Sequence, residues 1–258
     1  MSLILNIQHW NGDKEQAMQL ARLIADLEDN PRSDVVLLFT HRFDTDLDWA
    51  TVEYVHKKFP RTYTHKTTRY GVGWPEGPNA MYADSHMHCV ERTRDGSWPN
   101  VDGIFFMEAD SVPLTKDWLN KIIDEWESTK KEGKSVLGCW LEAGDCGIKH
   151  INGNCIIHKD LWRRERALFH PRSGGWDADL ASSMLPHGRP SRYIYSDYGL
   201  GKEGYNDWKG CDDMWKTRRY RASNHPLAGE DINPSYLHGP KKIESIDCVR
   251  KRLLDNKP

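Results

Sequence analysis

Two carboxylates follow an apolar run in the middle of the chain. Residues 104–107 read Ile-Phe-Phe-Met, and the triplet Glu108-Ala109-Asp110 comes directly after them. A continuous apolar run of this kind is typical of a strand that is covered on both faces. Glu108 and Asp110 are two residues apart, so in an extended chain their side chains point the same way. Such a pair suits a hard divalent cation bound at the carboxyl end of a strand.

A Glu-x-Asp triplet on its own is also common in ordinary loops, where Asp110 or Ser111 would cap a turn. Its position directly after the apolar run favours the metal site.

The elements needed to position such a site precede it in the chain. Apolar runs at 3–7 and 35–39 alternate with helical spacing at 17–27 and 48–59, and a more polar strand follows. This strand–helix alternation predicts a parallel sheet with right-handed crossovers. The length of 258 residues is enough for one large domain of this class. From residue 171 onward Gly, Pro, Trp, Tyr and Asp crowd the chain, which predicts an irregular, loop-rich C-terminal third.

Composition and motifs exclude several functions. The formal net charge of −2 gives no global basic field for nucleic acid, although basic clusters occur at 163–166 and 216–221. The loop at 71–78 is rich in Gly and Pro but has neither a dinucleotide fingerprint nor a P-loop. We expect Asn79 to cap the helix after this loop, at a start suited to a diphosphate.

The cysteines and the N-terminus favour a soluble, cytoplasmic protein. The six Cys residues contain no C-x-x-C pair, so a zinc site is not predicted and free thiols are expected. Polar residues interrupt the first apolar patch at Asn6, Gln8 and His9, which argues against a signal peptide. No apolar run is long enough to cross a membrane.

Two later segments complete a recognisable order. One is Gly174-Gly175-Trp176-Asp177-Ala178-Asp179, and the other is His238-Gly239-Pro240-Lys241. Together with the acidic triplet and the α/β N-terminal half, they make the chain resemble the GT-A class of nucleotide-sugar glycosyltransferases over most of residues 1–242. The chain departs from the D-x-D motif of that class at Glu108, which replaces the first Asp.

The resemblance implies a GT-A-like α/β fold, with a mostly parallel sheet flanked by helices. It also implies one domain over residues 1–258, divided into a nucleotide-sugar-binding half (1–114) and an acceptor-binding half (115–258). Mn²⁺ or Mg²⁺ would be held on the donor diphosphate by Glu108, Asp110 and His238.

The remaining site predictions fall into three groups. The expected donor-binding residues are Gln8, His9, Trp10, Thr40, Arg69, Asn79, Glu108, Ala109, Asp110 and Lys241. Asp177 and Asp179 are the candidates for the catalytic base, with Asp177 favoured and with Asp212 and Asp213 in reserve, because an acceptor hydroxyl needs a base within hydrogen-bond reach. Trp176 and Asn154 are the expected acceptor contacts. Trp residues in loop-like surroundings also suit stacking of sugars or bases; they are Trp10, Trp74, Trp98, Trp176 and Trp208.

The predicted reaction moves a sugar from a nucleoside-diphosphate sugar, with UDP-sugar favoured, to a hydroxyl acceptor. That acceptor is either a glycan or a hydroxymethylated base in phage DNA. The sequence leaves open which sugar moves and whether its anomeric configuration is kept. A nucleotidyltransferase and a non-catalytic glycan-binding or nucleic-acid-binding module are the alternatives. The segment at 8–13 lacks the Gly-rich, basic loop that a nucleotidyltransferase usually carries after its first strand.

Overall fold

The structure is a computed structural model that describes residues 2–141, 148–164, 174–196, 235–239 and 244–255. Ten strands lie in these ranges: β1 (Ser2–His9), β2 (Val35–His41), β3 (Thr62–Lys66), β4 (Val101–Glu108), β5 (Ser111–Pro113), β6 (Val136–Leu141), β7 (His150–His158), β8 (Gly188–Pro190), β9 (Ile194–Ser196) and β10 (Tyr236–His238). The helices are α1 (Lys14–Leu27), α2 (Trp49–His56), α3 (Glu76–Arg94), α4 (Trp118–Lys131), α5 (Leu161–Arg164), α6 (Trp176–Asp179), α7 (Ala181–Met184) and α8 (Glu244–Arg250). A 3₁₀ turn (Leu185–His187) and a π-helical turn (Lys251–Asp255) follow α7 and α8.

Seven strands form the central sheet, in the order β3-β2-β1-β4-β7-β6-β8. The neighbours β3, β2, β1 and β4 are all parallel, and β7 runs antiparallel to both β4 and β6. The expected α/β fold with a mostly parallel sheet is confirmed. Because parallel strands end at the same edge, the carboxyl ends of β1, β2 and β4 meet there, beside the start of β7.

The sheet is covered on both faces, as the apolar runs predict. Leu5 of β1 and its register partner Phe105 of β4 pack with α1, α2 and α4 on one face. Ile4 and its partner Ile104 pack with α3 on the other face, where Tyr82 is fully buried. Each such side chain contributes about 1.5–3 kcal/mol through removal of apolar surface from water. The central position of β4 therefore gives Glu108 a rigid support.

A second sheet of three short strands lies beyond the end of β4, in the order β5-β10-β9. β10 pairs antiparallel with β5 and parallel with β9, so His238 lies opposite both Ser111 and Ser196. The Gly239 amide also donates to the Asp110 carbonyl at 2.9 Å. This small sheet connects the C-terminal part of the chain to the turn after β4.

Several details differ from the sequence-based expectations. The segment at 148–158, expected as strand pieces, contains one nine-residue strand, β7. The helix expected at 159–168 is seen as α5, and the residues after Arg164 lie outside the described ranges. Three cysteines are free and buried, but Cys248 is disulfide-bonded, which corrects the expectation of free thiols throughout. Among the described helices, none has the length and apolar character that a bilayer span requires.

Candidate metal and catalytic site

The turn that carries the two carboxylates is held from the neighbouring strand. Glu108 is the last residue of β4, and Asp110 follows in the turn before β5. Asn154 of β7 accepts hydrogen bonds from the Glu108 amide at 3.0 Å and from the Ser111 hydroxyl at 2.8 Å. Asn154, predicted to contact the acceptor, is fully buried in the structure. It fixes the acidic turn instead, because one amide oxygen accepts from both sides of Asp110.

His238 completes a cluster of three possible metal ligands. Its Nε2 lies 3.0 Å from Glu108 Oε2 and 3.2 Å from Asp110 Oδ1. Its Nδ1 lies 3.1 Å from the Ser196 hydroxyl, which orients the ring. Burial by itself lowers the pKa of His238, but the adjacent Asp110 and Glu108 carboxylates outweigh burial, and the pKa is well above its usual value.

The chemistry of these groups fits a divalent cation. One atom from each of Glu108, Asp110 and His238 lies within 4.8 Å of the other two. Two carboxylate oxygens and one imidazole nitrogen are a ligand set that suits Mn²⁺, and carboxylates also suit Mg²⁺. The structure therefore brings together the three residues predicted from the sequence to hold the metal. The approach of His238 to the two carboxylates depends on the β5-β10 pairing, since His238 is far from them along the chain.

Asp13 is an additional carboxylate beside this cluster that the sequence reasoning missed. It immediately precedes α1, and its Oδ1 accepts from the Trp10 amide at 2.8 Å. Burial raises the pKa of Asp13 to about 7, the Trp10 hydrogen bond opposes the rise, and the charges of Asp110 and Glu108 add to it. Its position in the sequence could have indicated this, because Asp13 follows the end of β1 at the same sheet edge as Glu108.

Asp177 lies on the other side of the acidic turn. Its Oδ2 accepts from the Gly153 amide at 3.0 Å, and its Oδ1 accepts from the Ala178 amide at 3.0 Å. A Cβ atom at Gly153 would lie 2.9 Å from Glu108 Oε1 and 3.6 Å from Asp177 Oδ2, so only glycine leaves these two carboxylates undisturbed. The side chain of Asp177 is 19% exposed, so the residue lies at the border between the core and the solvent.

The environment of Asp177 makes it a stronger proton acceptor than an ordinary aspartate. Burial raises its pKa, the nearby His150 opposes the rise, and the Glu108 charge adds to it. His150 Nε2 is 3.9 Å from Asp177 Oδ2. A general base is most effective when its pKa is close to the working pH, and a raised carboxylate pKa moves in that direction.

Asp179, the second predicted base, has a different environment. Both of its oxygens accept from the Gly174 amide, at 3.1 and 3.2 Å, so it closes the turn that precedes α6. Asn79 holds the same turn from α3, through a 2.8 Å hydrogen bond from Nδ2 to the Gly174 carbonyl. Asn79 does not cap α3 as expected, because the helix begins at Glu76 and Asn79 lies within its first turn.

Trp176, predicted to offer a ring face to an acceptor, lies with its ring covered in the structure. Trp176 is only 4% exposed and stacks on Tyr82 of α3, with ring centroids 3.8 Å apart and planes 3° from parallel. Phe106 of β4 packs against it as well. Trp176 therefore anchors α6 to the sheet and places Asp177 beside Gly153.

The predicted donor-binding residues at the ends of β1 and β2 form a buried polar network. Gln8 Nε2 donates to the Ser85 hydroxyl at 2.9 Å, and Thr40 Oγ1 donates to Asn6 Oδ1 at 2.7 Å. His9 is fully buried, and its ring stacks on His41 with centroids 6.0 Å apart. These side chains stabilise the sheet edge from inside and leave little surface for a ligand.

Two predicted donor residues keep more exposed surface at this edge. Trp10 is 43% exposed, and the Arg42 guanidinium lies 5.0 Å from the centroid of its ring. Arg69 lies 4.0 Å from the Asp84 carboxylate, which also accepts from the Thr68 amide. Of the other site predictions, Ala109 is buried, whereas Lys241, Asp212, Asp213 and Trp208 lie outside the described residues.

The sheet order and the acidic turn at the end of β4 define a GT-A-like fold. Comparison with solved structures supports this class. An active-site mutant of LgtC aligns over 100% of this chain and 98% of its own, with a TM-score of 0.54 and 9% identity. The apo structure of the bifunctional glycosyltransferase WbbM aligns over 100% of this chain and 50% of its own, with a TM-score of 0.52 and 10% identity.

Other similarities are more distant or partial. S. aureus TarS 1-349 aligns over 74% of this chain with a TM-score of 0.46 and 14% identity, and this chain spans 58% of its length. No family model matches the chain. A search of curated protein sequences finds no match either. The shared property is therefore the fold, and the activity is inferred from the site.

Proposed function

We propose that the protein is a metal-dependent glycosyltransferase, which moves a sugar from a nucleoside-diphosphate sugar to a hydroxyl acceptor. The observation that carries this proposal is the convergence of Glu108, Asp110 and His238 within 4.8 Å at the carboxyl edge of a GT-A-like sheet. Ligands of open α/β sheets bind at this edge. A further carboxylate, Asp177, lies beside the same turn but is not part of the metal cluster.

The residues divide the chemistry between them. A cation held by Glu108, Asp110 and His238 would offset the negative charge that grows on the departing diphosphate. Asn154 and Ser196 would keep those ligands in place, through their hydrogen bonds to the acidic turn and to the His238 ring. Asp177 is the proposed base that accepts the proton from the acceptor hydroxyl.

We assign most donor contacts to the first half of the chain, residues 1–114, and most acceptor contacts, with the proposed base Asp177, to residues 115–258. The exposed face of Trp10 and the Arg42 guanidinium above it would contact the nucleoside, with UDP-sugar as the favoured donor. Arg69 follows the carboxyl end of β3, at the same edge of the sheet, and would contribute positive charge near the diphosphate.

The acceptor in this proposal is a hydroxyl on a glycan, or on a hydroxymethylated base in DNA. A carboxylate base serves either hydroxyl, because only its distance from the oxygen and its pKa matter for the proton transfer. The two acceptors differ in charge, which makes them separable by experiment.

The test is a panel of nucleotide sugars, supplied with and without Mn²⁺ or Mg²⁺. Release of nucleoside diphosphate and a metal-dependent thermal shift are the readouts. We expect one UDP-sugar to give both. Product analysis distinguishes the alternatives, because a nucleotidyltransferase supplied with a nucleoside triphosphate and a sugar phosphate releases pyrophosphate.

The proposal fails if no nucleotide sugar stabilises the protein in the presence of metal. It also fails if donor turnover is unchanged in chelator-treated buffer, since the metal cluster would then have no part in the reaction. Binding of a nucleotide sugar without turnover towards glycans or hydroxymethylated DNA would identify a non-catalytic binding module.

A further inference from the structure

Trp74 is the exposed aromatic residue beside the proposed base. It lies in the loop between β3 and α3, and its side chain is 74% exposed. A Cβ atom at Gly175 would lie 2.8 Å from the Trp74 ring and 2.9 Å from Asp177 Oδ1. The Trp74 ring and the Asp177 carboxylate therefore both lie beside Gly175, and both residues are at least partly exposed.

The surrounding contacts hold Trp74 in this position. The Gly77 amide donates to the Gly73 carbonyl at 2.8 Å, which folds the loop onto the first turn of α3. Gly73 has a φ of +76°, which favours glycine at the residue before Trp74. Asn79, on the same helix turn, binds the Gly174 carbonyl and so keeps Gly175 beneath the ring. One short element thus positions both the ring and the turn that carries Asp177.

We infer that Trp74 is the acceptor platform of this enzyme, on which a pyranose ring stacks with one hydroxyl directed at Asp177. The inference rests on the proposed function and specifies the acceptor as a neutral glycoside. An exposed indole face next to a carboxylate offers an apolar surface for ring C–H groups and an acceptor for hydroxyls. Trp176, which the sequence suggested for this role, is covered by Tyr82 and cannot perform it.

The charges near Trp74 favour a glycan over DNA. The described carboxylates beside the Trp74 ring include Asp177, which borders Gly175, and Asp179, which accepts from the Gly174 amide; neither belongs to the metal cluster. Carboxylates repel the phosphates of a duplex, whereas nucleic-acid sites collect Lys and Arg. A neutral sugar approaches Asp177 without that repulsion.

The experiment measures binding, so that it does not depend on turnover. Methyl glycosides of glucose, galactose, mannose and xylose are titrated by saturation-transfer NMR, with the diamagnetic Mg²⁺ and UDP present. A duplex containing 5-hydroxymethylcytosine is titrated in parallel. The variants are Trp74→Ala, Trp74→Phe and, as a control on an equally exposed indole of α2, Trp49→Ala, since Trp49 is 61% exposed.

We expect at least one glycoside to bind, and Trp74→Ala to weaken its binding about tenfold, the equivalent of about 1.4 kcal/mol. Trp74→Phe should retain most of the affinity because it keeps a ring face, and Trp49→Ala should match the wild type. The inference is overturned if no glycoside binds, if Trp74→Ala binds as the wild type does, or if only the duplex depends on Trp74.

Failure of this inference and failure of the proposed function remain distinguishable. If a nucleotide sugar is turned over but no glycoside depends on Trp74, the function stands and the platform is refuted. If a glycoside depends on Trp74 but no nucleotide sugar is bound or turned over, the platform stands as a glycan contact and the enzyme assignment is refuted.

Discussion

The parallel strands and the small sheet supply the candidate site in different ways. β4 lies between β1 and β7 and is buried on both faces, so its carboxyl end is fixed by a large core. The small sheet consists of three strands of three residues each, and it brings His238 to that end through pairing between distant parts of the chain. The first region provides two carboxylates from one local segment, and the second closes the site with a single residue.

This difference predicts that substitutions in the two regions have different effects. Substitutions at the end of β4 should remove the chemistry without disturbing the fold, because the acidic side chains lie beyond the core. Substitutions in the small sheet should reduce metal affinity in graded steps, because several short-strand contacts share the task of placing His238.

The largest effect is expected at the end of β4. Asp110→Asn removes one charged ligand and should reduce turnover by roughly 10⁴-fold or more, since a bound cation contributes several kcal/mol to transition-state stabilisation. Steady-state release of nucleoside diphosphate measures the loss, and circular dichroism should show an unchanged fold. Asp46→Asn is the matched control, because the Asp46 side chain is 95% exposed and its Oδ1 lies 3.9 Å from the Lys66 ammonium. Full activity of Asp110→Asn in chelator-treated buffer would refute the metal role.

The carboxylates of this region were accessible to sequence reasoning because the signal is local. An apolar run followed by Glu108-Ala109-Asp110 specifies both the buried strand and the direction of the acids. The strand–helix alternation likewise specified the parallel half of the sheet, where each crossover joins neighbours in the chain. His238 could be placed only through resemblance to a family, since nothing in a local window shows that β10 pairs with β5.

The two predicted acceptor contacts, Trp176 and Asn154, are buried in the structure, and a local window does not reveal burial. Trp176 follows two glycines and reads as a loop residue, but Tyr82 and Phe106, both distant in the chain, cover its ring. Asn154 reads as a polar residue near a ligand, yet its amide oxygen accepts from the last residue of β4 and the first residue of β5, on either side of the acidic turn. Trp74 carried the same local signal as Trp176, and only the fold shows which of the two is exposed.

The next prediction concerns the proposed base, Asp177, which is held by the Gly153 amide of β7. Asp177→Asn should lower kcat by roughly 10²–10⁴-fold, the usual contribution of a positioned base. Donor and metal binding should be retained, because Asp177 is not one of the three clustered ligands. The measurement is kcat under saturating donor, together with thermal shift by donor and Mn²⁺.

Asp179→Asn is the comparison for this prediction. Its oxygens bind the Gly174 amide, so we expect a smaller loss of activity, caused by a loosened turn. If both variants keep rates close to the wild type, the base lies elsewhere, and Asp212 and Asp213 become the candidates.

The small sheet should give a graded effect on metal affinity. His238→Ala removes one of the three ligands and should weaken Mn²⁺ binding by at least about 10–100-fold, with a smaller loss for Ser196→Ala, which removes only the hydroxyl that orients the ring. Calorimetric titration of Mn²⁺ into each variant gives the affinities. Equal affinities in the wild type and His238→Ala would show that the small sheet does not close the metal site.

The smallest expected effect is on the pH dependence of folding stability, which should have opposite signs for a histidine in the parallel half and for His238 in the small sheet. In the parallel half, burial lowers the pKa of His9 to about 3, with further lowering by His41 and Lys14. An unfolded His9 binds a proton near pH 6.5, whereas the folded one stays neutral, so its contribution to stability is lost as the pH falls below that value. In the small sheet the pKa of His238 is raised, and its contribution is instead lost as the pH increases through the raised value.

His9→Phe isolates the first of these responses, because phenylalanine keeps a ring against His41 but cannot titrate. Between pH 7.5 and pH 5 the wild type should lose about 2 kcal/mol more stability than this variant, since each proton contributes 1.36 kcal/mol per pH unit. Urea unfolding at both pH values measures the difference, with His56→Phe as the control at an exposed site on α2. If the wild type and His9→Phe lose equal stability, the burial of His9 does not make the parallel half acid-sensitive. The contrast with the small sheet would then depend on His238 alone.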